Sequence, residues 1–457
     1  MADAARAGLD SFEHAESVWG DFDTMSVTGR RRMFEQVAAT GAMVTPTLIE
    51  AIGAIVSSDS AINAAITDTL GLLDPRNRYL SRGLRRQWRE FVEQRGSYEA
   101  TRSRGTPRSP AIRVATPGRR AATTSDDGSP VTRIGLYQHS DCGRHDTGWR
   151  HPEHQGRLRG VMQALERALP ELHEHIEPIV AEHADPELLE LAHRPEHIRT
   201  VREACEEAAA SGGILSLDPD TVVSPASWDA AMAAVGCATQ AVDAVLAGRH
   251  ASAFCPVRPP GHHATPDRAM GFCLFNSVAI AARHALTHDG VDRVLIVDWD
   301  VHHGNGTQDI FWQDPDVFFL SMHQYPFYPG TGAASETGAG EGEGTTLNLP
   351  MSPGLPPEVY VETLLDGVDR ALETFAPDFV LISAGFDAAE EDPLGGFTLR
   401  GEDFRALTLG VIERTCATAG GRVVSLLEGG YNPAELGRNV VTHLKALIEA
   451  AGLGEAG

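Results

Sequence analysis

Lysine is all but missing from this chain. Lys445 is the only one, so nearly every basic residue is an arginine. We read that as a coding bias toward Arg and Ala rather than as chemistry. Cysteine is sparse and scattered: Cys142, Cys205, Cys237, Cys255, Cys273 and Cys416 contain no Cys-x-x-Cys pair. That pattern excludes a disulfide scaffold and a closed zinc knuckle, and it fits a reducing cytoplasm. No apolar run reaches the roughly 18 residues of a membrane span, so none is expected. The opening Met1-Ala-Asp-Ala-Ala-Arg6 lacks the apolar centre of a signal peptide. Positive charge is also short, with a net charge of −25. The deficit is uneven: residues 1–130 hold 17 Arg against 16 acids, and the rest of the chain carries the negative charge. An acidic domain argues against nucleic-acid binding. It is compatible with a cationic substrate and equally with plain solubility.

What is present suffices for a large core. The chain has 457 residues, 42% of them apolar, which suggests more than one domain or one large domain with an extension. Residues 1–100 read as mixed helix and loop, with a basic amphipathic helix expected over Tyr79–Gln94. Leu9–His14 and Gly41–Leu48 weakly resemble a strand-helix-strand portion of a metal-dependent amidohydrolase barrel, in which a histidine at the place of His14 serves as a metal ligand. His14 is the only histidine before His139, and a barrel needs eight strands, so this part reads as a remnant or appended segment. Residues 101–131 are rich in Thr, Ser, Pro and Gly, with Arg102, Arg104, Arg108, Arg113, Arg119 and Arg120 among them; they read as a linker.

From residue 132 to 452 the pattern becomes an α/β domain. Strands are expected at 134–137, 252–255, 294–297, 317–322, 379–383 and 423–427. Helices are expected at 156–169, 196–210, 227–246, 276–288, 357–375, 404–418 and 433–451. Such alternation gives a three-layer α/β/α fold around a central parallel sheet. The stretch Val294–Gly306 organises it. Val294 to Val297 is a β-branched apolar run of the kind buried on both faces of a parallel sheet. Asp298, Asp300 and His302 follow at alternate positions, which places them on one face of a continuing strand. Ligands in open α/β sheets bind beyond the carboxyl ends of the strands, so this is a metal-site candidate.

Polar groups gather after nearly every other strand as well. They are Arg258-Pro-Pro-Gly-His-His263, Ser321-Met-His323 with Tyr328-Pro-Gly330, Ala384-Gly-Phe-Asp387 with Asp392-Pro-Leu394, and Glu428-Gly-Gly-Tyr431. Together with Gly271-Phe-Cys-Leu-Phe-Asn276 and Asp298-Trp-Asp-Val-His-His-Gly-Asn-Gly306, these motifs closely resemble those of the histone deacetylase and acetylpolyamine amidohydrolase family, on its class II-like bacterial side. The resemblance covers residues 131–450, and His145–Glu153 with Arg157-Leu158 fit it too. The chain departs from the family in having Gln155-Gly156 where a proline is frequent.

The resemblance implies a zinc ion held by Asp300, His302 and Asp387. Three protein ligands leave a position open, as in catalytic zinc sites. An oxygen-rich set also accepts Fe(II). It implies that His262 and His263 are the paired acid/base histidines, the first oriented by Asp298 and the second by Asn305. A neutral amide does not favour the cation, so His263 should be the less basic. Tyr431 would donate to the developing oxyanion. Phe272, Gly271 and Tyr328 would line an acyl-lysine tunnel, with Tyr328 where Phe is common, and Asp220 would hold the substrate backbone at the rim. The backbone around Asp298, Asp300, His302, Ser321 and Met322 matches an inner monovalent-cation site, usually potassium. Leu394 stands where polyamine-selective relatives carry an acid. The reading is a metal-dependent deacetylase of an acetylated protein lysine or a small acylated amine. Its alternatives are an acetylpolyamine or other small-amide deacetylase, an arginase-like ureohydrolase needing two manganese ions, and a non-catalytic acyl-lysine-binding module. Oligomeric state is open at this level.

Overall fold

The computed structural model describes residues 133–453. The expected extension and linker, His14 and the Tyr79–Gln94 helix all lie outside the described residues. Ten strands occur among the described residues: β1 (Arg133–Gln138), β2 (Ile176–Val180), β3 (Leu215–Ser216), β4 (Val222–Val223), β5 (His250–Cys255), β6 (Val294–Asp298), β7 (Val317–Gln324), β8 (Thr346–Met351), β9 (Phe379–Ala384) and β10 (Val423–Leu427). The α-helices are α1 (Gly156–Leu172), α2 (Pro195–Ser211), α3 (Ser227–Leu246), α4 (Ser277–Ala285), α5 (Asn305–Phe311), α6 (Pro357–Thr374), α7 (Gly401–Ala419) and α8 (Pro433–Ala450).

Eight strands form one sheet in the order β2-β1-β5-β10-β9-β6-β7-β8. Every pairing within it is parallel. Parallel strands need crossovers, and the helices supply them on both faces. The helices α3 and α4 pack on one face; α1, α8, α7 and α6 pack side by side on the other. This is the expected three-layer α/β/α arrangement.

The interior strands β6, β9 and β10 are buried at every position, which is why their sequences are mostly apolar, with Asp298, Ser383 and Ser425 the polar exceptions. The two edges differ. Neither β2 (Ile-Glu-Pro-Ile-Val) nor β8 (Thr-Leu-Asn-Leu-Pro-Met) shows such a run, so neither strand is among those expected from the sequence. Each carries a proline, Pro178 or Pro350, which lacks a backbone donor and is tolerated at sheet edges. The short α5 is likewise absent from the expected helices. It starts at Asn305 inside the motif after β6, where polar residues read as loop. Elsewhere boundaries shift by a few residues. The α4 helix ends at Ala285 instead of 288, and α7 begins at Gly401 instead of 404.

The α3 helix is long and apolar enough to cross a membrane by length and composition, but most of it is buried inside the domain. Its alanines let it lie close against β1, β5 and β10.

Candidate active site

The carboxyl ends of β5, β10, β9, β6 and β7 lie side by side at the middle of the sheet. Each leads into a loop that carries polar side chains, so chain segments far apart in sequence converge there. Asp298 is the last residue of β6, in register with Ser321 on β7 and Ser383 on β9. The strand ends there, so Asp300 and His302 occupy the turn beyond it, not a continuing strand as alternation implied.

Asp300, His302 and Asp387 come together. One ligand atom from each lies within 4.8 Å of the others, and all three residues are buried. His302 Nδ1 is 3.1 Å from Asp300 Oδ1 and 3.2 Å from Asp387 Oδ2. Backbone amides occupy the remaining carboxylate oxygens: Gly429 N–H donates to Asp300 Oδ2 (2.7 Å) and Val301 N–H to Asp387 Oδ1 (2.8 Å). The other oxygen of each carboxylate faces the imidazole nitrogen, and Asp300 Oδ1 also accepts the His302 backbone N–H (2.9 Å). A side chain at Gly429 is excluded, because its Cβ would collide with the carboxylates of Asp387 and Asp300.

Burial is costly for these charges. It pushes Asp387 up to about 7, with Asp300 adding like-charge repulsion. Burial opposes the His302 cation, but Asp300 and Asp387 outweigh it and raise the ring to about 9. A cluster that strains to neutralise itself fits a divalent cation. An imidazole with two carboxylates, each carboxylate steered by a backbone donor, is a donor set for zinc or ferrous iron.

Beside this cluster, His262 and His263 stand with ring centroids 4.0 Å apart. Their Nδ1 atoms are held differently. His262 Nδ1 lies 2.9 Å from Asp298 Oδ2, and His263 Nδ1 lies 2.9 Å from Asn305 Oδ1. Burial opposes the His262 cation, yet Asp298 and Asp300 hold it up to about 10. Burial, His262 and His302 push His263 well below the ordinary imidazole range. Two adjacent residues of one type thus differ sharply in basicity. His262 Nε2 is 3.8 Å from Asp300 Oδ1, which sets the pair against the carboxylate cluster.

Tyr431 is buried, with its backbone N–H donating to Asp392 Oδ2 (2.6 Å) and the Arg157 guanidinium 4.8 Å over its ring. Phe272 meets it edge-on at 5.8 Å, and Tyr328 meets His263 edge-on at 5.2 Å. Phe272 has φ 68°, a left-handed conformation that costs a bulky residue energy. The turn is held in place: Gly271 N–H donates to Asp220 Oδ1 (3.2 Å) and Phe272 N–H to Thr221 Oγ1 (3.0 Å). Asp220 Oδ1 also accepts the Thr221 hydroxyl (2.9 Å), so it supports Gly271 directly and Phe272 through Thr221. Leu394 sits in the loop after Asp387, its N–H bonded to the other oxygen of Asp392 (2.9 Å). Ser321 and Met322 are fully buried on β7 next to Asp298.

Several contributors received no role from the sequence. Phe327 stacks on His302 at 5.4 Å and 15°, and His151 meets Phe272 edge-on at 4.8 Å. Phe327 carried one faint signal, its place between Pro326 and Tyr328. Below the site, the buried Glu153 carboxylate takes Arg258 at both oxygens (2.5 and 2.7 Å) and Arg157 at 2.8 Å. Arg157 also donates to the carbonyls of Gly430 and Glu428, and Glu428 Oε2 accepts from Gly261 N–H (2.6 Å) and His262 N–H (3.2 Å). This network ties the Tyr431 loop to the His262 loop.

The sequence profile of the histone deacetylase domain matches residues 151–447. An uncharacterised protein of Synechocystis is 43% identical over 308 residues, 67% of this chain and 96% of that protein. The chloroplastic histone deacetylase 10 of Oryza sativa is 38% identical over 309 residues, 65% of this chain and 70% of the rice protein. The crystal structure of the HDA15 HD domain superposes with a TM-score of 0.65 at 35% identity, covering 70% of this chain and 89% of that one. By fold, by motif and by these likenesses, the chain belongs to the histone deacetylase family and is a hydrolytic enzyme of the deacetylase type.

Proposed function

We propose that the domain hydrolyses the acetyl or short acyl amide of a lysine side chain, using zinc held by Asp300, His302 and Asp387. The observation that carries the reading is the convergence of those three donors beside two imidazoles of opposite basicity. Zinc in that set would supply Lewis acidity, polarising the amide carbonyl and easing the loss of a proton from water. The donor set also suits Fe(II), and Asp298, Asp300, His302, Ser321 and Met322 are the residues around which we place a structural potassium ion.

The residues divide the remaining work. With its Nδ1 proton donated to Asn305, His263 keeps a free lone pair at Nε2 and stays neutral, so it takes the proton of water and later returns it to the leaving amine. His262, steered by Asp298 at Nδ1, turns Nε2 toward the cluster and orients the attacking water. The Tyr431 hydroxyl donates to the carbonyl oxygen as charge builds there. Phe272 and Tyr328 flank the methylene chain. Leu394 offers no charge to a second ammonium, which favours acetyl-lysine peptides over acetylspermidine. Six unpaired cysteines among the described residues support a reducing compartment, and we assign the enzyme to the cytoplasm.

Turnover of an acetyl-lysine peptide by the zinc-loaded protein tests the reading, alongside acetylspermidine. Zinc-dependent peptide turnover with the larger kcat/KM is the expected result. A preference for acetylspermidine would replace the substrate class, and binding without turnover would make the domain an acyl-lysine reader.

A further inference from the structure

A second group of metal-ligating side chains lies away from the active centre. Asp243 is near the end of α3. His284 is in the last turn of α4 and His288 just beyond it, four residues apart, so both rings emerge on one side of the helix end. Their Nε2 atoms converge on a single carboxylate oxygen: His284 Nε2 is 2.7 Å from Asp243 Oδ1, and His288 Nε2 is 3.0 Å from the same atom. The rings stand nearly perpendicular, with centroids 5.2 Å apart and an angle of 82°. All three donor atoms lie within 4.8 Å of one another. The side chains are 40%, 19% and 34% exposed, so solvent reaches a fourth position.

We propose that Asp243, His284 and His288 form a second, solvent-accessible binding site for a divalent transition-metal ion of the zinc type. Two imidazoles with one carboxylate suit zinc and its first-row neighbours rather than magnesium or calcium, which take oxygen shells. Tetrahedral zinc, with bonds of roughly 2.0–2.2 Å, spaces its donors about 3.3 Å apart. The observed nitrogen-oxygen separations must widen by about 0.6 Å at His284 and about 0.3 Å at His288, within reach of a half-exposed aspartate. Another candidate in the structure, His139, Asp141 and His183, is spoiled by its own neighbours. There Arg144 donates to Asp141 Oδ1 at 2.9 Å, and His139 Nδ1 already accepts the Asp141 N–H at 3.1 Å. No arginine or lysine bonds to Asp243 among the described residues.

The ion would clip α3 to the end of α4. The other end of α4 is capped by Asn276, whose carboxamide accepts the Ala279 N–H (3.0 Å) and donates to the Ala264 carbonyl (3.3 Å), next to His263. The site thus braces, from its far end, the helix that anchors the histidine loop. At roughly 1.5 Å per residue that far end is about a dozen ångström away. Occupancy acts on stability and not on chemistry.

The test uses tag-free, full-length protein, stripped with a chelator and dialysed against Zn2+ or Co2+. The wild type should bind one more Zn2+ per chain than the His284→Ala, His288→Ala double variant. Its visible Co2+ bands should include a component that the variant lacks. Added Zn2+ should raise the thermal midpoint more in the wild type than in the variant. Should the double variant misfold by circular dichroism, Asp243→Asn preserves size and is read in the same way. Equal ion counts and equal Co2+ spectra in wild type and variant would overturn the proposal, as would loss of the extra ion in His183→Ala instead. Asp387→Ala should remove a different ion and leave this one, so failure of the active-centre reading shows separately.

Discussion

The two clusters use the same side-chain types in opposite environments. At the active centre, two carboxylates and one imidazole are buried, and backbone amides of Gly429 and Val301 fix the carboxylates. On the helical face, two imidazoles share one half-exposed carboxylate with solvent beside them. Water reaches the second group, so its hydrogen bonds to Asp243 Oδ1 hold it together whether or not a cation is present. Burial denies water to the first, so its charges must be neutralised by one another or by a cation. A demand for metal thus comes from burial and imposed orientation more than from the set of ligands.

The largest effect should follow from removing a buried ligand. Asp387→Ala should abolish both active-centre metal and turnover, a loss well beyond the roughly 10- to 100-fold that an outer partner costs. Elemental analysis beside a deacetylase assay checks it, and a variant with full metal content and normal turnover would collapse the distinction. Next comes the charge network beneath the site. Glu153→Gln leaves Arg157 and Arg258 buried with half a partner, and should cost about 3–5 kcal/mol of stability by denaturant midpoint. Smaller is Tyr431→Phe, which removes one hydroxyl and no charge. It should lower kcat by roughly a hundredfold or more with little change in KM.

A fourth prediction concerns pH. Burial pushes His443 down to about 3, and it sits neutral between Thr408 and Ser425. The unfolded chain takes up its proton near pH 6.5, whereas the folded chain refuses it until about 3. Stability should therefore fall as pH drops through that window, by up to about 1.4 kcal/mol per unit. His145 and His193 are held near the same value, chiefly by burial, and act in the same direction. Urea midpoints at pH 7.5 and 5.5 measure the trend; a midpoint that rises on acidification would contradict it. The smallest effect belongs to the exposed cluster. Without added metal, His288→Ala should change stability by no more than about 0.5 kcal/mol. A loss of several kcal/mol there would erase the contrast between the two regions.

Legibility in the sequence followed burial in the same way. The runs Val294–Val297, Phe379–Ser383 and Val423–Leu427 announce their strands because both faces are covered, so nearly every position is apolar. At the edges the constraint lapses, and β2 and β8 hid behind Pro178 and Pro350. Asp300 and His302 are legible as a pair because their alternate spacing survives in one dimension, while Asp387 joins them only through the family resemblance. Phe327 over His302 and His151 against Phe272 are not legible, since each is a contact between segments that no spacing relates.

Composition and order along the chain determined the parallel α/β class, the end of the sheet at which chemistry gathers, and the residue types gathered there. Those depend on local periodicity and on where apolar runs stop. The tertiary structure alone decided the basicity of each imidazole. Adjacent residues His262 and His263 diverge because Asp298 and Asn305 reach them from different parts of the fold, and the energy of a buried charge depends on what lies within a few ångström in space.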